Sequence, residues 1–303
     1  MAVYVVGDFL RETRLRKGYT QEEVSYGICT TASLSRIENG AQKPGRLILE
    51  KLFERLGTEN NLFNSFVSKE EMELYLEIQT LIRNVTDGDL QRIEEQIDIV
   101  DRLTKNTSEL ERQSLFWAKG ELATQKYGNN GKAMEYLMKA IQITLPDFDG
   151  KSPLRNHLLT FDEITIINSI AVRHAENTSL LTAIQLDMWL KEYMENRVVD
   201  GRMKTAKYPM ILYNLSCWFG SEHCHKEALD IANQGVDFCV KYGNLVAFPR
   251  LILNQGIASV ELGQIDNAKK YLHQAVTIFE TMKRMDTVEY ITTWCRNEYQ
   301  IEI

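Results

Sequence analysis

The chain has 303 residues, a formal net charge of -7, a hydrophobic fraction of 44% and five cysteines. This length suits two domains better than one, and the odd, scattered cysteines are not those of a disulfide framework. No stretch approaches the roughly 20 apolar residues of a membrane span, and the apolar run at the N-terminus is too short for a signal peptide. We therefore expect a cytoplasmic protein without a membrane partner.

The charges are unevenly distributed along the chain. Residues 1–57 contain nine Lys and Arg against seven Asp and Glu, whereas residues 58–303 contain 26 against 35. Long segments follow a period of 3.6 residues, and no alternating run of β-branched residues is long enough for a sheet. The pattern predicts an all-α protein with a mildly basic head and an acidic body, which suits a protein that presents one face to DNA.

The segment from Gly18 to Gly40 predicts two short helices joined by a tight turn. Thr20 begins a Thr-Gln-Glu-Glu sequence, which is a capping box, so a helix begins at Gln21. After an interrupting glycine, Thr30 caps a second helix that runs to about Asn39. Two short helices of this kind, the second with small and polar residues at its start, fit a reader of the DNA major groove.

These residues resemble the phage-repressor type of helix-turn-helix domain. That family has an arginine in its first helix, a Thr-Gln pair opening the second, and Ser-Arg-Ile-Glu-Asn-Gly ending the third. Arg14, Thr20-Gln21 and residues 35–40 match this pattern, and the resemblance covers roughly residues 6–57. By position it implies base contacts for Thr31, Ala32 and Arg36, and phosphate contacts for Gln21, Thr30, Ser33 and Asn39.

Arg36 and Ala32 would make different kinds of contact with a base edge. Arg36 is suited to a bidentate contact with guanine, which is worth about 1 to 3 kcal/mol of discrimination. Ala32 offers only a methyl contact, so we expect modest sequence readout by this helix.

The resemblance gives Arg14 and Glu38 a structural role. In the family the matching residues form a largely desolvated ion pair between the first and third helices. The alternative is an exposed pair that contributes little to stability.

Beyond the head, residues 58–66 predict a connector, and a helical pattern from about Lys69 to Arg83 predicts a linker helix. Small residues then recur at spacings of 50, 45 and 40, where they let paired helices approach closely. The pattern resembles degenerate tetratricopeptide repeats, with roughly five helical hairpins stacked as an α-solenoid. The predicted domains are a helix-turn-helix domain with its connector (1–66), the linker helix (67–84) and a repeat domain for ligand binding and dimerisation (85–303).

Three asparagines occupy equivalent places in successive first helices of the predicted pairs. Asn168, Asn214 and Asn254 precede a small residue of the next helix by 15, 14 and 14 residues. On a tetratricopeptide hairpin this position faces a groove, where a side-chain amide binds the backbone of an extended peptide. The alternative is hydrogen bonding between helices of the solenoid. Neighbours one turn away predict apolar pockets and a cation for a peptide carboxylate: Val172, Tyr213, Cys217, Leu253, Ile257 and Arg250.

A helix-turn-helix of this type followed by helical repeats resembles the PlcR, Rgg and PrgX group of peptide-pheromone receptors of Gram-positive bacteria. The segment from Gly27 to Gly40 is especially similar to the PlcR and Rgg branches. The resemblance implies a homodimeric transcription regulator on a pseudo-palindromic operator in double-stranded DNA. A short signalling peptide would change the arrangement of that dimer, as in quorum sensing. One alternative is a DNA-anchored scaffold that binds a protein partner through its repeats, and another is a solenoid that serves only oligomerisation.

The segment from Cys217 to His225 combines cysteines and histidines, but it lacks the paired spacing and the second pair of ligands that a zinc site needs. The sequence has no nucleophile elbow, phosphate-binding loop or zinc-protease motif, and helix faces rich in Glu and Lys are usually solvated. We predict no metal, no cofactor and no enzymatic activity.

Overall fold

The computed structural model of the protein describes residues 6–58, 69–105, 107–177, 179–197, 199 and 201–303. These residues form fifteen α-helices, one short 3₁₀ turn and no strand, which confirms the predicted all-α class. Across the same residues, no helix is both long and apolar enough to cross a membrane. The chain divides into two compact units, the first comprising Met1–Trp189 with Asn196–Gly201 and the second Leu190–Glu195 with Arg202–Ile303.

The head, defined as residues 6–58, contains the predicted helix-turn-helix. The capping box of Thr20 is present, and Thr30 caps the next helix by accepting from the amide of Ser33. Gly40, at a φ of +70°, ends that helix by donating to the carbonyl of Ile37 at 3.1 Å. The helices are α1 (Val6–Lys17), α2 (Gln21–Ser25), α3 (Thr31–Glu38) and α4 (Arg46–Arg55).

The body begins with two longer helices, α5 (Lys69–Asp87) and α6 (Leu90–Leu103). The predicted linker helix corresponds to α5, which continues past Arg83 to Asp87. Most of the predicted connector, residues 59–66, lies outside the described residues.

The repeats are four successive helix pairs, with one further helix after them. The sequence predicted roughly five hairpins. The pairs are α7 (Gln113–Gln125) with α8 (Asn130–Gln142), α9 (Phe161–Asn177) with α10 (Leu180–Asn196), α11 (Gly201–Ser221) with α12 (His225–Tyr242), and α13 (Phe248–Glu261) with α14 (Ile265–Thr281), followed by α15 (Met285–Tyr299).

Small residues let these helices pack closely, as the sequence predicted. The recurring alanines of the second helices, among them Ala228 and Ala268, are at most 2% exposed. A methyl group added at Gly256 of α13 would lie 2.6 Å from the side chain of Leu272 on α14. That distance is far inside van der Waals contact, so the spacing of α13 and α14 depends on glycine.

The connection between α8 and α9, residues 143–160, is an ordered element that the sequence did not predict. The amides of Lys151 and Ser152 donate to Asp149 at 2.8 and 2.6 Å. Leu158, only 3% exposed, packs into the hydrophobic core of the head. The head and this connection therefore share a core within the first unit.

Candidate DNA-binding and ligand-binding surfaces

The recognition helix α3 presents a polar face to solvent. Leu34 and Ile37 are buried at 0% and 2% exposure, and Thr31, Ala32 and Arg36 are exposed. No described residue forms a hydrogen bond or an ion pair with the Arg36 guanidinium. Arg36 is therefore free to reach a base, and its predicted role stays a prediction.

The four predicted phosphate contacts surround α3 and already have protein partners. Thr30 Oγ1 accepts from the amide of Ser33 at 3.1 Å and donates to its hydroxyl at 2.9 Å. Arg11 Nη1 donates to Asn39 Oδ1 at 3.4 Å, which leaves the amide nitrogen of Asn39 for a phosphate. Gln21 differs, because its side-chain nitrogen donates to Glu38 at 2.7 Å. Their phosphate contacts likewise stay predictions.

Arg14 and Glu38 form the ion pair that the resemblance implied. Arg14 Nε donates to Glu38 Oε1 at 2.7 Å and Nη2 to Oε2 at 2.8 Å, with the two residues 8% and 1% exposed. Burial alone would raise the pKa of Glu38, but hydrogen bonds from Arg14 and Gln21 hold it below its ordinary value. The expectation of a desolvated pair is confirmed, and the exposed alternative is wrong.

Asn168, on α9 in the first unit, is half-buried beside a carboxylate. Its side-chain nitrogen donates to both oxygens of Asp187 on α10, at 3.1 and 3.0 Å. Asp187 is 0% exposed, so the pair joins the two helices of the hairpin. Because a carboxylate only accepts, the Asn168 nitrogen must face it, and the amide oxygen, to which no described residue donates, points elsewhere.

Asn254, on α13 in the second unit, is 8% exposed and is oriented in a similar way. Its nitrogen donates to Ser216 Oγ at 2.6 Å and to Cys217 Sγ at 3.1 Å. The Ser216 hydroxyl donates its proton to the carbonyl of Tyr213 at 2.8 Å, so the Ser216 oxygen accepts from Asn254. The Asn254 oxygen again has no donor among the described residues.

For the asparagine register predicted from the sequence, the position of the residues on the helices and the partners of their amide groups are separate questions. Asn168, Asn214 and Asn254 do lie on the first helices α9, α11 and α13. Hydrogen bonding between helices, the alternative, describes the nitrogens of Asn168 and Asn254. A contact with a peptide stays a prediction for all three residues.

Arg250 is half-buried near Asn254. Its guanidinium lies 5.7 Å from the ring centroid of Tyr213, and the described residues place no carboxylate within ion-pair distance of it. Burial, followed by the neighbouring Cys217, raises the pKa of Tyr213 to about 12. The other predicted neighbours in the two units are half-buried on first helices: Val172, Cys217, Leu253 and Ile257.

Sequence reasoning missed Asp187 and Ser216, which orient two of the asparagines. Asp187 follows Asn168 by 19 residues on the next helix, where an acidic residue looks like part of a solvated face. No local signal distinguishes it. Among the described residues, no three His, Cys, Asp or Glu side chains are grouped to hold a metal ion.

Comparison with known proteins identifies the head. Residues 5–66 match the helix-turn-helix domain family. The uncharacterised HTH-type transcriptional regulator YqaF of Bacillus subtilis (strain 168) is 38% identical over 63 residues, which is 20% of this chain and 83% of YqaF.

Two crystal structures share the fold of nearly the whole chain. Bacillus thuringiensis PlcR in complex with the peptide PapR7 and DNA has a TM-score of 0.61 at 18% identity, covering 95% of this chain and 99% of that chain. A variant of the Streptococcus dysgalactiae SHP pheromone receptor Rgg2 has a TM-score of 0.50 at 14% identity, covering 97% and 100%. Together with the exposed face of α3, the match to YqaF places this chain in the family of helix-turn-helix transcriptional regulators.

Proposed function

We propose that this DNA-binding regulator is a cytoplasmic homodimer whose repeats bind a short signalling peptide. The peptide would change the arrangement of the two heads on a pseudo-palindromic operator, with recognition helices about 34 Å apart or a multiple of that. PlcR, whose crystal structure contains a peptide and DNA, has the same fold, which supports the proposal. To regulate, the peptide must favour one arrangement by about 1 to 3 kcal/mol.

The peptide part of this proposal depends on Arg250, whose guanidinium is half-buried and has no carboxylate within ion-pair distance among the described residues. A half-buried guanidinium has lost part of its hydration, and an acceptor of negative charge compensates for that loss. Tyr213 offers the face of a ring at 5.7 Å, which orients the guanidinium without neutralising it. We propose that Arg250 binds an anionic group of the peptide, either its terminal carboxylate or an acidic side chain.

The side-chain amides of Asn168 and Asn254 add a preferred hydrogen-bond direction to the proposed binding of a peptide. Because the nitrogens of Asn168 and Asn254 are engaged within the protein, each side chain offers a ligand only its oxygen. A carbonyl oxygen accepts from a peptide N–H and does not depend on the peptide side chain. We propose that the asparagines bind the peptide backbone as acceptors, and that the apolar neighbours select side chains.

Fluorescence anisotropy tests the proposed function directly. The purified protein is titrated onto DNA from upstream of its own gene, with and without the small-peptide fraction of the producing culture. Specific binding that shifts with the peptide fraction supports a peptide-responsive regulator. Specific binding that ignores the fraction, under growth conditions where neighbouring small reading frames are expressed, contradicts the peptide part of the proposal.

Arg250→Ala is expected to weaken binding of the purified peptide by about 1.5 to 3 kcal/mol, because a hydrogen bond to a charged group is lost. Calorimetry on the full-length protein measures this change. Arg296→Ala removes an exposed arginine from the same unit and serves as the matched control. Equal affinities for the two variants would show that Arg250 holds no peptide anion.

The second candidate function is a DNA-anchored scaffold for a protein partner, and one observation favours it. In the second unit, exposed apolar side chains cluster in sequence, with Val240, Leu245 and Val246 at 70%, 68% and 65% exposure. A cleft of about 500 Å³ lined by α12, α13 and α14 residues, including Phe248 and Tyr271, belongs to the same unit. Apolar surfaces of this kind occur at protein interfaces, and DNA binding unaffected by any peptide would agree with this candidate.

A further inference from the structure

Helix α4 of the head is bound to the first turn of α9 through charged residues spaced i, i+3 and i+4. Lys51 Nζ donates to Asp162 Oδ2 at 2.6 Å, and Arg55 Nη2 donates to Glu163 Oε1 at 2.6 Å. Between these pairs, Glu54 Oε2 accepts the backbone N–H that opens α9, at 3.0 Å. We call this contact the seat, formed by Lys51, Glu54 and Arg55 of α4 and by Phe161, Asp162 and Glu163 of α9.

The charges of the seat are buried and have defined partners. Lys51 and Arg55 are 1% and 2% exposed. Lys51 also donates to Gln113 Oε1 at 2.9 Å, while the Gln113 nitrogen is held by the Ala140 carbonyl at 3.0 Å and by Thr144 Oγ1 at 2.8 Å. Gln113 therefore presents its oxygen to Lys51 and cannot turn away without losing two hydrogen bonds. Separating the head from α9 would break both ion pairs and the hydrogen bond from the Phe161 amide, and removal of one partner alone would leave the other charge buried and uncompensated.

The turn of the helix-turn-helix makes a second contact with the same part of the body. Gly27 has a φ of +65°, and an added Cβ would lie 2.0 Å from the carbonyl oxygen of Thr144. Glycine is required there by its backbone conformation and by this approach. Tyr26 donates its hydroxyl proton to Asp147, and its ring meets that of His157 edge to face at 4.7 Å. The head is thus fastened at α4 and at the turn, while α3 remains exposed.

We propose that the seat fixes the direction of the recognition helix relative to the repeat pair α9–α10, so that Lys51 and Arg55 are positioning residues for DNA binding. Neither of them is exposed to DNA. The α9 residues of the seat and the predicted peptide contact Asn168 lie on one helix, and the seven steps from Phe161 to Asn168 span about 10 Å at a rise of 1.5 Å per residue. The head and the start of α9 then move together, because three side chains of α4 are bound to the first turn of that helix.

A dimer whose heads are fixed in this way should select operators by the spacing between their two half-sites. If each head is fixed to α9 of its own chain, the position of α9 helps to set the distance between the two heads of a dimer. The dimer then prefers one half-site spacing, and a loosened seat relaxes that preference without changing the contacts of α3 with a single half-site. This step rests on the proposed dimer, whereas the seat itself belongs to one chain.

The balance of charges makes the seat sensitive to pH. Burial, and then the neighbouring Asp162 and Glu50, raise the pKa of Glu54 to about 8, although Lys51 opposes the rise. In a detached head the carboxyl returns toward its ordinary value of 4.5, so docking takes up a proton between these values. Docking is therefore strongest at low pH and weakens as the pH rises from 4.5 to about 8, above which this carboxyl has no further effect. The charged groups of α4 and α9 around this carboxyl are Glu50, Lys51, Arg55, Asp162 and Glu163.

Lys51→Met tests the seat in the full-length protein. Hydrogen exchange is expected to accelerate at the amide of Phe161 and in α4, while α1 keeps its protection. Anisotropy on DNA selected in vitro by the wild type is expected to show near-wild-type affinity for one half-site and loss of the spacing preference. Lys119→Met, which breaks a 3.1 Å ion pair with Asp101 inside the body, is the control and should behave as the wild type.

Unchanged exchange at Phe161 together with an unchanged spacing preference in Lys51→Met would overturn the inference. Glu54→Gln provides a second test that removes no cation and keeps an acceptor for the Phe161 amide. As the pH rises from 4.5 through about 8, the wild type should progressively lose protection at Phe161 after correction for intrinsic exchange, and Glu54→Gln should keep it. Parallel behaviour of the two proteins also overturns the inference. A wild type without any spacing preference contradicts the proposed dimer, and the exchange measurements then decide the seat alone.

Discussion

Arg14→Ala is expected to destabilise the head by about 3 to 5 kcal/mol, because it leaves the buried carboxylate of Glu38 without its cation. Arg14 makes two hydrogen bonds to Glu38, at 2.7 and 2.8 Å, and a third to the carbonyl of Tyr19 at 3.0 Å. The substitution therefore also frees the turn that leads into α2. Gln21 remains as a single donor to Glu38 at 2.7 Å, and one neutral donor does not replace a guanidinium.

Denaturant unfolding followed by hydrogen exchange in α1 and α3 measures this loss in the head alone. The control is Lys139→Ala, which removes an ion pair to Glu135 whose side chains are 51% and 60% exposed. Exposed pairs contribute about 0 to 1 kcal/mol, so the two variants should differ severalfold. If Arg14→Ala costs no more than Lys139→Ala, the buried pair does not hold α1 and α3 together.

The same ion pair gives the head a defined response to acid. Arg14 and Gln21 lower the pKa of Glu38 against the opposing effect of burial. A carboxyl whose pKa is lower in the folded state stabilises above its ordinary value of 4.5, and that stabilisation is lost as the pH falls through the folded value. In Arg14→Ala this part of the acid response should largely disappear.

The head was predictable from the sequence because its signals are local. Thr20 and Glu23 lie three residues apart and cap α2, and Thr30 caps α3 over the same separation. Each cap is a bond between near neighbours, so a short window of sequence contains both partners. The Arg14–Glu38 pair spans 24 residues and came from the resemblance to a family rather than from spacing.

The seat was not predictable, because its partners are distant in the chain. Lys51 and Asp162 are 111 residues apart, and Arg55 and Glu163 are 108 apart. In the sequence Lys51 and Arg55 look like ordinary charges on an amphipathic helix, and only the fold shows that this face is covered. Thr160 and Glu163 do form a local cap, with the amide of Thr160 donating at 2.6 Å, so the start of α9 was open to sequence reasoning.

The predicted peptide contacts were only partly predictable from the sequence, in contrast to the head, which was predictable, and the seat, which was not. Register along the sequence placed Asn168, Asn214 and Asn254 on successive first helices, because helical repeats keep their spacing. Register does not show which atom of an amide is already engaged. Asp187 and Ser216 decide that for two of the three side chains, and each lies on a different helix from the asparagine that it orients.

Arg36→Ala is expected to reduce, by about 1 to 3 kcal/mol, the discrimination between the operator and a DNA variant in which one guanine is replaced. Arg36 is exposed on α3, and its guanidinium has no partner among the described residues, so both of its forked donors are available to the O6 and N7 atoms of guanine. The substitution removes no hydrogen bond or ion pair among the described residues, so the stability of the head and the affinity of the protein for peptide should stay unchanged.

Arg16→Ala is the matched control, because Arg16 is an exposed arginine of α1 in the same head. A contact that is only electrostatic weakens binding to every DNA sequence alike, whereas a base contact changes the ratio between sequences. Anisotropy titrations at one fixed salt concentration therefore distinguish the two roles, since phosphate contacts vary strongly with salt. Discrimination that is the same in Arg36→Ala, Arg16→Ala and the wild type would remove Arg36 from the readout and leave Thr31 and Ala32 as the base-facing residues of α3.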